Sequence, residues 1–170
     1  IIGREWNEFL DLLDFISRKF SLNPKKRIMI TYIHNLGYEF QWFQKRIQWE
    51  KIFNIKNRRP IYALSQLGIE FRCSYLLSNY SLEYLGKEML HTYPVTKKVG
   101  FLDYSLVRSP ITPLTDREIL YQCDDTRVVT SFIQEKIETD GSILKLPLTN
   151  TGYVRNYCRD SCLNSTRKEI

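Results

Sequence analysis

One carboxylate stands on the wrong side of a helix. Between Thr115 and Gly141 apolar residues recur at three- and four-residue steps, the spacing of an amphipathic helix. With Ile119 set at zero and about 100° per residue, Val128, Tyr121, Phe132, Val129 and Ile133 fall at roughly 180°, 200°, 220°, 280° and 320°, and Asp125 falls among them near 240°. On the same wheel Asp124 lands near 140°, which predicts the polar face for it, beside Ser131 and Glu135. A carboxylate among apolar side chains is costly unless something answers its charge, so Asp125 calls for a metal ion, a basic partner or a raised pKa. The ordinary reading is a salt bridge to an Arg or Lys from another element; the alternative is metal ligation or catalysis. Tyr121 lies one turn earlier on the same face.

A second acid, Glu39, falls in the first turn of a helix between Trp42 and Phe43 on the wheel. The helix dipole alone favours an acid there. Its position just beyond a strand end raises its interest, because ligand sites in open α/β sheets gather at the carboxyl ends of strands. His34 and Asn35 share that strand end, where a histidine commonly serves as a hydrogen-bonding cap. No Ser or Cys motif of nucleophilic catalysis is found. The basic pairs Lys25-Lys26, Arg58-Arg59 and Lys97-Lys98 read as solvated surface, yet with the many tyrosines they permit a groove that tracks phosphates and stacks bases.

The elements that position these residues follow from periodicity. Trp6, Phe9, Leu10, Leu13, Ile16 and Phe20 predict a helix over 6–20, closed by Asn23-Pro24. Ile28 to Ile33 is a near-continuous apolar run, as in a central strand covered on both faces. After a polar turn, helical spacing resumes from Tyr38 to Gln48. Around Phe53 to Arg59 the pattern dissolves into basic residues, and the runs Ile61–Leu64 and Ile69–Cys73 flank a Gly68 turn as a β-hairpin. Ser81 is placed to cap a short helix, and residues 91–113 read as loop. Thr115 and Glu118 have capping-box spacing for a helix over 116–138, and Gly141 stops it. From Leu146 onward, Pro147 and Gly152 suggest a linker.

The chain has 170 residues, 43% hydrophobic and 26% charged, which excludes disordered and collagen-like classes and allows one domain with a tail. Its net charge of +6 favours an anionic partner. No run approaches the roughly 18 apolar residues of a membrane helix, no signal pattern opens the chain, and the expected setting is intracellular, in the cytoplasm. The four cysteines form no C-x-x-C pair, so free thiols are expected. The chain opens Ile1-Ile2-Gly3 without a methionine, as a piece of a longer polypeptide would.

The order of features resembles a known family. Tyr32-Ile33-His34-Asn35-Leu36-Gly37-Tyr38-Glu39-Phe40-Gln41-Trp42 resembles the second exonuclease motif of protein-primed family B DNA polymerases, the enzymes of some bacteriophages and linear plasmids. Tyr121-Gln122-Cys123-Asp124-Asp125 resembles their third motif. Phe71 to Leu77, Ser81 to Lys87, and Leu146 to Arg155 are similar to the family's intervening strand, its Ser-Leu motif and the segment joining exonuclease to polymerase.

The resemblance implies an α/β, ribonuclease H-like exonuclease fold over 1–145, a linker towards the polymerase domain over 146–170, and 3′-5′ proofreading during DNA replication by two Mg²⁺ or Mn²⁺ ions. In that chemistry the ions activate a water and stabilise the leaving oxygen. It further implies Asp125 as a metal ligand with Glu39 a second, and Tyr121 orienting the attacking water. Tyr32, His34, Asn35, Trp42, Ser81 and Leu82 match positions that hold the single-stranded 3′ end. Lys97 or Lys98 matches a catalytic-site lysine. A terminal protein primer is the partner the family implies.

Two positions depart from the family. Nothing before Tyr32 matches its first motif, Asp-x-Glu on an early strand, and Glu39 stands where an Asp is usual. A carboxylate displaced by about one methylene weakens a two-metal site, where about 1 Å of misplacement costs roughly a hundredfold in rate. The expectation is therefore a fragment of such a polymerase, incomplete at its N-terminus and inactive alone. The competing reading is a non-catalytic module binding single-stranded DNA or a protein, with Asp125 in an ordinary ion pair; a degenerate exonuclease fold recruited for assembly is a third.

Overall fold

The computed structural model describes residues 2–56, 59–95 and 105–166, and they form a mixed α/β fold around one four-stranded sheet. The apolar stripe read in the first helix is real: α1 spans Trp6–Lys19, buries Leu13, and packs Trp6, Phe9, Leu10 and Ile16 into a core. Strand β1 (Met29–Ile33) leads into α2 (Leu36–Phe43), then β2 (Trp49–Lys56), β3 (Arg59–Ser65) and β4 (Ile69–Cys73). Short helices α3 (Ser74–Ser78) and α4 (Leu82–Tyr84) follow, the latter running into a π-helical turn over Leu85–Met89. Then come the long helix α5 (Asp116–Asp140) and α6 (Asn150–Thr166).

The sheet order is β1-β4-β3-β2, with β1 and β4 parallel and the other pairs antiparallel. The hairpin expected at Gly68 is present. Gly68 has φ +77°, and a Cβ there would come within 2.7 Å of the Asn23 backbone nitrogen, so the close approach of the loop after α1 requires glycine. Ser17 of α1 reinforces that junction by donating to the Leu67 carbonyl at 2.8 Å.

Successive side chains of a strand point to opposite faces, and the sheet uses both. One face carries Met29, Ile33, Ala63, Ile69, Phe71 and Cys73 against Leu36, Phe40 and Phe43 of α2 and the apolar stripe of α1. Phe43 is the hub of an aromatic cluster there, with ring centroids 5.7 Å from Phe40, 5.9 Å from Trp49 and 5.6 Å from Phe71. The opposite face gives Tyr32 to a second core of Leu77, Leu85, Leu90, Val128, Phe132, Ile133 and Leu146, built on α5. Helix α5 begins with the expected capping box between Thr115 and Glu118 and ends at Gly141 with φ +79°.

Four expectations are corrected. Strand β1 is not central: among the described strands it stands at an edge, and the deepest burial belongs to β3 and β4, where Ala63, Ser65 and Ile69 are fully enclosed. An edge strand with helices on both faces needs the same apolar run as a central one, because hydrophobicity reports covered faces and not hydrogen-bonded neighbours. Helix α2 stops at Phe43, since Arg46 lies over the Trp6 ring at 4.6 Å and the Trp49 indole donates to the Gln44 carbonyl at 2.8 Å, turning the chain into β2. The basic stretch after Phe53 does not end the pattern; Trp49–Lys56 is a strand paired with β3. The expected linker after Leu146 is largely helical, and Tyr153 in its first turn donates to Asp140 at 2.7 Å.

Candidate functional site

Strands β1 and β4 run parallel, so both carboxyl ends open on one side of the sheet, and β3, antiparallel to them, begins there. A hollow of about 730 Å³ lies at that rim, lined by His34 and Asn35 after β1, Tyr38 and Gln41 on α2, Arg59 and Pro60 at the start of β3, Cys73 and Tyr75 after β4, Ser81 and Leu82 at α4, and Tyr121 and Asp125 on α5. A second hollow of about 710 Å³ shares His34, Leu82 and Asp125, and adds Trp6, Phe9, Tyr32, Glu39 and Thr126. The two have a common wall at Asp125.

The loop after β1 is shaped by its own residues. Asn35 takes the left-handed conformation, φ 60° and ψ 51°, which asparagine tolerates better than most side chains. Its carbonyl accepts from the Tyr38 amide at 2.9 Å, starting α2 with its amino end towards the hollow. His34 is held twice: Nδ1 lies 3.1 Å from the buried Ser74 hydroxyl, and the ring meets Tyr75 edge-on at 5.6 Å. On α2, Tyr38 and Trp42 pack edge to face at 6.3 Å while remaining largely exposed, a pair of flat apolar surfaces at the mouth. Ser81 caps α4 by accepting from the Tyr84 amide at 3.2 Å.

The acids divide differently from the wheel. Asp125, on the inward side as its angle predicted, is half-buried with its Oδ1 atom enclosed, and it lines both hollows. Asp124 is not on a wet face: it is 8% exposed and pairs with Arg127 at 3.2 Å. Three turns further along, residues 92 and 93 cross α5 and donate backbone amides to Glu135 at 2.7 and 2.8 Å. Glu39 sits exposed at the rim of the second hollow, and the partial burial of its carboxyl raises the pKa above the ordinary carboxylate value. Tyr32 is half-buried with its hydroxyl enclosed. Burial raises its pKa against the pull of Arg72, and among the described residues no well-formed hydrogen bond reaches the hydroxyl.

The structure thus brings together His34, Asn35, Ser81, Leu82, Tyr121 and Asp125 in one hollow, and Tyr32 and Glu39 in the adjoining one. Trp42 lines neither and stands outside, against Tyr38. Lys97 and Lys98 lie outside the described residues. Sequence reasoning missed Tyr38, Gln41, Tyr75 and Arg59. Tyr38 and Gln41 are a turn apart on the face of α2 that turns to the rim, a signal the wheel contained; Arg59 depends on sheet order, which local spacing does not encode.

Among the described residues, Asp125 and Glu39 are the carboxylates that line the two hollows. Among the described residues no three His, Cys, Asp or Glu side chains gather as a metal cage. Two carboxylates do not complete a two-ion site. The hollows present aromatic faces, hydroxyl, amide and guanidinium donors, and one carboxylate with an enclosed oxygen.

No family model, curated protein sequence or solved structure matches this chain. Among the described residues no helix is long and apolar enough to cross a membrane.

Proposed function

We propose that this chain is the proofreading-exonuclease region of a protein-primed family B DNA polymerase, with a ribonuclease H-like fold, and that alone it holds a single-stranded 3′ end without cutting it. The observation that supports this reading is convergence. The two polymerase-like motifs and the Ser-Leu segment lie at 32–42, 121–125 and 81–87, and His34, Asn35, Tyr121, Asp125, Ser81 and Leu82 from all three line one hollow. Nothing in their spacing obliges them to meet.

In the parent enzyme, two Mg²⁺ or Mn²⁺ ions would activate water and stabilise the leaving oxygen. Asp125 and Glu39 would supply carboxylates to them, with the remaining donors contributed from outside the residues described. The residues of this chain bind and orient: Tyr38 and Tyr75 offer stacking faces, His34 is locked by Ser74, and Tyr121 stands one turn from Asp125.

The test is titration of a fluorescent single-stranded oligonucleotide at several salt concentrations, followed by incubation with Mg²⁺ or Mn²⁺. Binding that weakens linearly with the logarithm of salt is expected. Tyr38→Ala is expected to weaken it about tenfold, in the range for losing one stacked base. Failure to bind at low salt would remove the reading. Shortening of the oligonucleotide that vanishes in Asp125→Ala would show a complete active site and overturn the claim that the chain alone does not cut.

A further inference from the structure

Two stretches of the chain are strongly basic: residues 18–27, with five Lys and Arg and no acid, and residues 45–59, with six Lys and Arg and one acid. The second of these runs from the approach to β2 to the first residue of β3.

Strand β2 is unusual for a sheet member: after the half-buried Trp49 every residue to Lys56 is exposed. Ile52, Phe53 and Ile55 are 39%, 47% and 60% exposed on this edge. An open edge with exposed apolar side chains is normally a liability for strand-to-strand association. Here three register irregularities, after Trp49, Phe53 and Asn54, break the regular ladder that an added protein strand would need. What remains is a ribbon of lysines with aromatic faces. Phe53 stands opposite Tyr62 with centroids 5.7 Å apart, and the Lys51 ammonium lies 5.8 Å from the Tyr62 ring.

The ribbon also points somewhere. Strand β2 runs parallel to β1 and β4, so Lys56 and Arg59 are paired at the same end of the sheet as the hollow, and Arg59 and Pro60 line it. Lys56 pairs with Arg59 at that end, and Lys51, paired with Leu64, lies further along the same exposed edge.

We infer that the β2–β3 ribbon is a second nucleic-acid contact, on which Lys51, Lys56 and Arg59 bind the phosphates and Phe53 stacks a base of the strand whose 3′ end occupies the hollow. This rests on the proposed function above and adds to it a track outside the end site. A polyanion with flat bases fits the two chemistries of the ribbon together; an acidic peptide would use the lysines and leave Phe53 idle.

The experiment compares two oligothymidylates on the full chain, one of about four nucleotides, able to fill the end site only, and one of about sixteen, at the upper end of known single-strand site sizes. The variants are Lys51→Glu/Lys56→Glu and, separately, Phe53→Ala and Phe53→Tyr, all at exposed positions, with thermal unfolding as the folding control. The long oligomer is expected to bind wild type more tightly than the short one. The double charge reversal should weaken the long one at least tenfold and lower its salt slope by about 1.4, the value for two lost single-strand phosphate contacts. Phe53→Ala should weaken it about tenfold and Phe53→Tyr should restore it. Affinity for the short oligomer should not move. If the long oligomer binds no better than the short, or the folded variants bind it as wild type does, the ribbon is not a track and the end site stands. If wild type binds neither, the end-site reading fails and the track with it.

Discussion

At Asn35 the backbone and the side chain can be tested apart. The residue combines a left-handed backbone with a place in the wall of the hollow, so glycine keeps the conformation and removes the amide, whereas alanine removes the amide and strains the backbone by about 1–2 kcal/mol. Asn35→Gly is expected to unfold within about 1 kcal/mol of wild type in urea, and Asn35→Ala to lose more than Asn35→Gly does. Equal losses would mean that the loop does not depend on Asn35's dihedrals. A second residue test concerns the ion pair of Arg72 and Glu70 at 2.6 Å, with side chains 13% and 11% exposed. Removing one member of such a buried pair strands the other, so Glu70→Ala should cost about 3–5 kcal/mol by urea denaturation, whereas replacing both with apolar residues of similar volume should cost much less. Asp125 was readable beforehand because helical periodicity fixes which way a side chain points. Asp124 was not, because its burial depends on what packs against α5 from elsewhere in the chain, which no local window contains.

Helix α5 carries Asp125, and its start is held electrostatically. Glu118 accepts from the Thr115 amide at 2.8 Å and from the Arg108 guanidinium at 2.6 Å, and these bonds lower its pKa to about 2. The folded value lies below the unfolded one, near 4.5, so its contribution is fully present above about pH 4.5 and is lost as pH falls towards 2. Glu118→Gln should therefore flatten the acid limb of stability against pH while leaving the slope above pH 5 unchanged, as read by urea midpoints across that range. A slope unchanged between about pH 4.5 and 2 would place the acid sensitivity elsewhere. The capping box was visible in the sequence because Thr115 and Glu118 are three residues apart, and so were α1, the hairpin at Gly68 and the Ser81 cap, all local rules. Strand β2 was not: its exposed faces give no alternation to detect, and its existence depends on pairing with β3. Helix α6 was hidden by Pro147 and Gly152, which read as breakers although the helix begins only at Asn150.

The candidate site is shared between two cores. His34 and Asn35 follow β1, which leans on the aromatic core around Phe43, while Tyr121 and Asp125 belong to the helix that organises the second core on the opposite face of the sheet. The hollow keeps its shape only if both cores fold and open as one unit, since among the described residues no disulfide joins α5 to the strand ends. Strand β1 supplies the mechanical link, sending Met29 and Ile33 into one core and Tyr32 into the other. That link predicts how damage spreads. Phe43→Ala removes a ring in contact with Phe9, Phe40, Trp49 and Phe71, and should cost about 3–5 kcal/mol. If the molecule is one cooperative unit, the loss should appear equally in the fluorescence of Trp49 and in the amide exchange of Val128 and Phe132, on the far side of the sheet. Slow exchange in α5 that persists while Trp49 reports unfolding would show that the second core opens independently. Asp125 would then be free to drift from His34, and a site assembled from the two could not hold a strand end in a fixed geometry.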